Sequence, residues 1–198
     1  MPLFQSQPVG VPGLIAITAG GLAFFASVLA TRLGSRSSAP AKRKSGLSTL
    51  GVLIQMLAFA GTGVGRILVA MPADSPGALA VGAAVALLML ASVALFWAAS
   101  RAMGANWSVV ARMREGHELV TQGIFARLRH PIYTGMGAFL IALAIAFGHP
   151  ASLLVTAPLF ALGTAIRIRE EEKLLRVEFG AAYDAYAARV KRFVPGLI

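Results

Sequence analysis

Between Ile132 and Ile166 the chain contains no Asp, Glu, Lys or Arg. A stretch that long without charge has no place on a water-facing surface. It is long enough to enter and leave a bilayer, whose apolar core takes about 20 residues of helix per crossing. His149-Pro150 divides it into two apolar halves, which predicts a tight helical hairpin, and Pro158 predicts a kink in the second half. Three earlier apolar runs, residues 11–30, 47–70 and 78–99, read as further spans. Composition agrees: 57% of the 198 residues are hydrophobic and only 13% charged, against about 25% charged in soluble domains. The expected architecture is therefore an all-α, polytopic membrane protein of about five spans.

Charge then orients the spans. Seventeen of the eighteen Lys and Arg fall in the linker at residues 31–46, the polar segment 101–130 and the tail from Arg167; the two remaining loops hold none. Basic loops stay on the cytoplasmic side, so the expectation is an outside N-terminus and a cytoplasmic C-terminus, in the inner (plasma) membrane of a bacterium. The net charge of +10 flanks apolar runs and points to anionic membrane lipid rather than to nucleic acid. The first run lacks a basic stretch ahead of it and does not read as a cleaved signal peptide. Gly61 and Gly65, at GxxxG spacing in span two, permit close helix packing within or between chains and leave the oligomeric state open. Arg66, near the far end of that span, reads as a snorkelling or paired structural residue. With no cysteine, disulfides, thiolate metal sites and cysteine nucleophiles are excluded.

Residues 1–100 thus read as three N-terminal spans with a basic loop. Residues 101–198 read as the chemistry-bearing region: a polar segment 101–130, the hairpin 131–167 and a C-terminal cytoplasmic helix 168–192. Two clusters fall in it. In Arg129-His130-Pro131, proline suits the first turn of a helix and keeps the residue before it out of helical geometry, so His130 stands where a loop enters a span and Tyr133 lies in its first turn. The N–H groups there favour a carboxylate or phosphate; simple anchoring of the helix at the interface is the plainer reading. The second cluster is Arg167-Ile168-Arg169-Glu170-Glu171-Glu172. Arg167 and Glu171 share a helical face, as do Glu172 and Arg176. This is either a solvated, salt-bridged helix or a carboxylate holding a polar ligand at the membrane mouth. His117 alone is a weak signal, and His149 reads as a turn residue on the opposite side. HExxH, GxSxG, P-loop and GxGxxG patterns are absent, and no metal site is expected.

Taken in order, Asn106-Trp107-Ser108, His117 followed by Leu119-Val120 and Gly123, Arg129-His130-Pro131 with Tyr133 and Gly135, Glu170-Glu171, and Phe179-Gly180 with Tyr183 and Tyr186 resemble the isoprenylcysteine carboxyl methyltransferase family; phospholipid N-methyltransferases are similar in the same region. The resemblance covers roughly residues 101–195. It implies an S-adenosylmethionine-dependent membrane methyltransferase that releases S-adenosylhomocysteine. The cofactor would lie between the last membrane helices and the C-terminal helix. His117, Leu119, Val120, Gly123, Phe125, Arg129, His130, Pro131, Tyr133, Gly135 and Glu170 or Glu171 would hold it. Arg167 or Arg169, with Glu171 and Asn106, would serve catalysis; Trp107 and Arg167 would face the acceptor. Phe125 stands where the family usually has tyrosine, which removes a hydroxyl and leaves an aromatic face for the sulfonium.

Methyl transfer from a sulfonium is an in-line displacement, so alignment is the main task. A carboxylate acceptor needs an orienting arginine and no base, whereas an amine needs deprotonation, which a glutamate assists. The surplus of arginine favours an anionic group on a lipid or prenylated small-molecule acceptor. Three alternatives stand beside this: a phospholipid N-methyltransferase, an NADPH-dependent enzyme like the membrane sterol reductases, and a non-catalytic membrane protein that keeps the fold.

Overall fold

The computed structural model describes residues 5–34, 41–104, 107, 112–114 and 118–196, with 41–44 and 112–114 described by their backbone. Among the described residues six helices carry the fold: α1 (Val11–Gly34), α2 (Gly46–Gly63), α3 (Pro76–Met103), α4 (Pro131–Ala146), α5 (Leu153–Phe179) and α6 (Ala181–Arg189). Four of the described helical segments are long and apolar enough to cross a membrane: α1, α2, α3, and α5 with the short 3-10 turn before it. Helix α4 is the shorter half of the hairpin. Its 16 residues span about 24 Å against a hydrocarbon core of about 30 Å, whereas the 27 residues of α5 reach about 40 Å. One arm of the hairpin therefore stops short while the other projects past it, and the turn at His130 faces the far half of α5.

The connections segregate to two ends. At one, Pro8–Val9 (β1) pairs in parallel with Leu68–Val69 (β3), and the Gln7 N–H donates to the Gly148 carbonyl (2.8 Å). His149 is buried in this end. Its Nδ1 lies 3.1 Å from the Thr62 carbonyl oxygen, and its Nε2 lies 3.2 Å from that of Arg66. With Ser6 Oγ 3.3 Å from the same Nε2, the expected turn residue also ties its own turn to the N-terminal segment, the end of α2 and the loop after it. At the other end Ala41–Lys44 (β2) pairs antiparallel with Arg112–Arg114 (β4), joining the basic linker to the polar segment.

Two boundaries differ from the sequence reading. Span two ends at Gly63, not near residue 70, because Gly65 adopts φ +139° and turns the chain. Only Gly61 of the GxxxG pair then sits in a helix contact, its Cα facing the Thr156 methyl; Gly65 packs on the His149 ring, and Arg66 lies outside the helix. The hairpin's second arm does not stop at 167. It runs unbroken through Pro158 to Phe179, and the break comes at Gly180, φ +50°.

Helix pairing, more than hydropathy, shapes the interior. The extensive pairs are α2 with α5, α1 with α3 and α3 with α4. Gly51 and Gly163 let α2 and α5 approach closely: a Cβ on Gly163 would lie 2.8 Å from the Gly51 carbonyl oxygen and 2.9 Å from Gln55 Cγ. Thr62 and Thr156 hydroxyls bond across the same interface (2.9 Å). Helices α4 and α5, though consecutive, touch little, and α1 and α2 touch still less. Space is left where these four fail to close on one another.

Candidate functional site

That space is a chamber of about 700 Å³. Its walls are apolar and aromatic within the bundle: Phe24 and Phe25 from α1, Met56 and Phe59 from α2, Phe96 from α3, and Met136, Phe139 and Leu143 from α4. Phe24 packs edge-on to Phe139 (5.3 Å between centroids) and tilted against Phe96 (5.1 Å), and Phe96 meets Trp107 at 5.9 Å. Phe25 and Met56 line the chamber yet are 64% and 62% exposed. The chamber is thus open sideways, between α1 and α2, where lipid would lie.

The polar end is built by the start of α4 and the far half of α5. Pro131 opens α4 with His130 at the N-cap, which turns the His130 and Tyr133 side chains toward α5. The Tyr133 hydroxyl donates to Glu171 Oε1. His130 lies between two carboxylates, its Nδ1 3.6 Å from Glu171 and its Nε2 3.2 Å from Glu172. The Arg167 guanidinium carbon stands 4.9 Å above the Tyr133 ring centroid, and its NH1 donates to Gln55 Oε1 at 2.7 Å. The HPxY turn, Glu171 and Glu172 are therefore one site, and the chamber reaches His130, Tyr133 and Glu171.

Glu172 is the fixed point behind it. It is 2% exposed and gathers Arg129 NH1 (3.1 Å), Arg192 Nε (3.0 Å) and NH2 (2.7 Å), and Arg176 NH1 (3.7 Å). The chain after α6 returns as a strap. The Arg129 and His130 N–H groups donate to the Lys191 and Arg192 carbonyls (2.8 and 3.0 Å), and the Thr134 hydroxyl donates to the Phe193 carbonyl (3.3 Å). Arg192 is stabilised in its charged form chiefly by its bond to Glu172.

A second recess of about 80 Å³ adjoins the chamber and shares Met103, Phe125, Arg129, His130 and Leu175 with it. Leu119, Val120, Glu118, Tyr183 and Tyr186 complete its wall. Gly123, at φ +63°, begins the 3-10 turn Gly123–Ala126 that presents Phe125. The Tyr186 hydroxyl donates to the Phe125 carbonyl at 2.7 Å. Burial, followed by the neighbouring Tyr183, pushes that phenol up to about 12, so it remains a donor at neutral pH.

The expected site residues separate on this geometry. Leu119, Val120, Phe125, Arg129, His130, Pro131, Tyr133, Glu171, Arg167 and Trp107 line the chamber or the recess. Of the two arginines left open, Arg167 lies in the chamber wall and is buried, while Arg169 is exposed. Glu170 accepts from the Ser45 hydroxyl (2.6 Å) and so ties α5 to the N-cap of α2. Gly135 faces α3, where an added Cβ would lie 3.0 Å from the Ser92 carbonyl oxygen; it serves helix packing. Asn106 and His117 lie outside the described residues. Sequence reasoning passed over Gln55, Arg192 and the strap. A lone Gln within an apolar run was the available signal for the first.

Comparison with known proteins bears on the same half of the chain. Residues 84–177 match the family model described as the isoprenylcysteine carboxyl methyltransferase (ICMT) family. Protein-S-isoprenylcysteine O-methyltransferase B of Arabidopsis thaliana is 36% identical over 84 residues, 42% of this chain and 43% of that protein. Protein-S-isoprenylcysteine O-methyltransferase of Schizosaccharomyces pombe is 31% identical over 87 residues, 44% of this chain and 37% of that protein. The alignment spans less than half the length of each of these relatives.

Proposed function

We propose that this chain, whose residues 84–177 match the isoprenylcysteine carboxyl methyltransferase family model, is an integral membrane methyltransferase that uses S-adenosylmethionine to methylate a carboxylate on a prenylated or other lipid-borne acceptor. The observation that carries this is the chamber itself. It joins an apolar interior, open sideways to lipid, to a polar mouth where Tyr133, His130, Glu171 and Arg167 converge.

The residues present suit the cofactor. Leu119 and Val120 with the rings of Tyr183 and Tyr186 form one wall for a nucleoside, which would fill the recess and extend into the chamber past Phe125. Glu171 and the faces of Phe125 and Tyr133 suit a cation, because aromatic faces and carboxylates both attract sulfonium charge. When bound, S-adenosylmethionine supplies an electrophilic methyl group. Arg167 orients an anionic acceptor, and its charge disfavours an ammonium one. Tyr133 and His130 hold Glu171 in place, and the apolar walls exclude water, so the acceptor is aligned and desolvated before reaction. An amphiphile enters between α1 and α2 from the bilayer, while the polar ligand enters from the basic end. By the distribution of Lys and Arg, that end faces the cytoplasm and the N-terminus lies outside.

The test uses the full chain purified in detergent. Calorimetry should detect S-adenosylhomocysteine binding, and Glu171→Gln should weaken it about tenfold, or about 1.4 kcal/mol. Radiolabelled cofactor should transfer its methyl group to N-acetyl-S-farnesyl-L-cysteine. Absence of both heat and thermal shift with the parent protein would sink the reading.

A further inference from the structure

We infer that Gln55 is a positioning residue: it anchors Arg167 from α2 through a neutral oxygen, and so keeps the arginine's charge directed at an anionic acceptor. This rests on the proposed methyl transfer to a lipid-borne carboxylate and specifies how that acceptor is recognised.

Gln55 stands halfway along α2, 2% exposed, in the wall of the chamber. A buried amide at membrane depth is unfavourable unless both its ends are bonded. Here they are. Nε2 donates to the Thr164 hydroxyl at 2.8 Å, and Oε1 accepts from Arg167 NH1 at 2.7 Å. The guanidinium can only donate, so the amide oxygen faces it, and the Thr164 hydroxyl, able to donate or accept, takes the bond from Nε2. The backbone is shaped around the pair: a Cβ on Gly51 would lie 2.5 Å from Arg167 Cγ, and one on Gly163 would lie 2.9 Å from Gln55 Cγ. With the Tyr133 ring on another side at 4.9 Å, the guanidinium is held from α2 and from α4 at once.

Neutrality is the chemical point. A carboxylate in this position would hold Arg167 in the same place through a charge-assisted pair, but it would also compete with any anionic acceptor for the arginine. The amide holds without competing. Gln55 lies outside the part of the chain matched by the family, so this device comes from the N-terminal helices.

The experiment compares binding of N-acetyl-S-farnesyl-L-cysteine and of its methyl ester to the detergent-purified full chain, by calorimetry, with S-adenosylhomocysteine affinity as a control. The parent should prefer the free acid. Gln55→Glu should lower acid affinity at least tenfold while ester and S-adenosylhomocysteine affinities stay within about twofold. Gln55→Leu, which removes the amide anchor, should lower kcat more than it raises KM. Thr164→Val, which releases the amide without changing charge, should lower acid affinity about threefold and keeps the test open should Gln55→Glu fail to fold. A parent blind to the difference between acid and ester overturns the inference. So does a folded Gln55→Glu that binds acid as tightly as the parent, or one that loses acid and ester equally. Failure to bind S-adenosylhomocysteine would instead overturn the methyltransferase reading, because the acid–ester comparison is read without cofactor.

Discussion

Replacing Glu172 with Gln keeps the shape of the side chain and removes its charge. Four cationic or protonatable partners then lose their anion: Arg129, His130, Arg176 and Arg192. They do not count equally. The side chains of Arg176 and Arg192 are 48% and 46% exposed, so water and salt screen them and each contributes little. Arg129 and His130 are 11% and 5% exposed. Leaving a buried charge without its partner costs about 3–5 kcal/mol, and Arg129 carries most of that. For a chain of this size a kilocalorie moves the midpoint by about 2–4 °C, so Glu172→Gln should melt roughly 6–20 °C below the parent in detergent. Arg176→Ala, which removes a half-exposed partner together with its bond to Asp184 and its contact with the Tyr183 ring, should shift it by about 4 °C at most. The double replacement Glu172→Leu with Arg129→Met should recover much of the loss, since an apolar pair can take the place of a buried ion pair. It should not recover S-adenosylhomocysteine binding, because Arg129 lines both cavities. A Glu172→Gln protein melting within about 2 °C of the parent would refute the claim that this carboxylate holds the strap, the HPxY turn and α5 together.

Tyr133→Phe removes the hydroxyl that steadies Glu171; a bond to a carboxylate contributes about 1.5–3 kcal/mol, so calorimetry should show S-adenosylhomocysteine affinity reduced about tenfold, with folding intact. Gly163→Ala drives a methyl group against the Gly51 carbonyl and Gln55, and thermal denaturation should report a loss of about 1–3 kcal/mol from overpacking. Because the chain has no cysteine, single replacements report topology cleanly. Ala73→Cys, in the exposed loop before α3, should react with an impermeant maleimide in intact cells, and Lys173→Cys only after permeabilisation; the reverse pattern would invert the orientation.

The parts of the site that read well from sequence are those where a local rule and a ligand requirement coincide. Pro131 marks a helix start, which placed His130 and Tyr133 at its mouth, and Arg167 with Glu171 stand one helical turn apart on one face; both pairs meet in the chamber. Motif membership alone did not predict direction. Gly135, Glu170 and Arg169 belong to the same motifs, yet they face α3, the α2 cap and the exterior respectively. Hydropathy found the apolar runs but is blind to which helices pair, and therefore to the divergence of α4 from α5 that opens the chamber. Gln55 was hidden by its setting, since one amide barely changes the hydropathy of an apolar run. The strap was hidden because its contacts are mostly backbone carbonyls of residues 191–193, and a carbonyl leaves no trace in residue type.

The division between matched and unmatched sequence has a physical meaning. The family match begins at residue 84 and so takes in the HPxY turn and the glutamates. Yet α1 and α2, which lie before it, supply Phe24, Phe25, Val28, Val52, Gln55, Met56 and Phe59, a large part of the chamber wall, and both rims of its sideways opening. A methyl donor common to many enzymes asks the same of every chain that binds it. An acceptor that differs from one enzyme to the next asks something different of each. The walls built by α1 and α2 are where such differences are expected, because they form both rims of the opening and add apolar surface to that of Phe96, Met136, Phe139 and Leu143 in the matched half. On the proposed methyl transfer, exchanging those two helices with those of a matched relative should change which amphiphile is methylated while leaving affinity for S-adenosylhomocysteine in place. A chimera that kept its original acceptor preference would place specificity in the matched half instead.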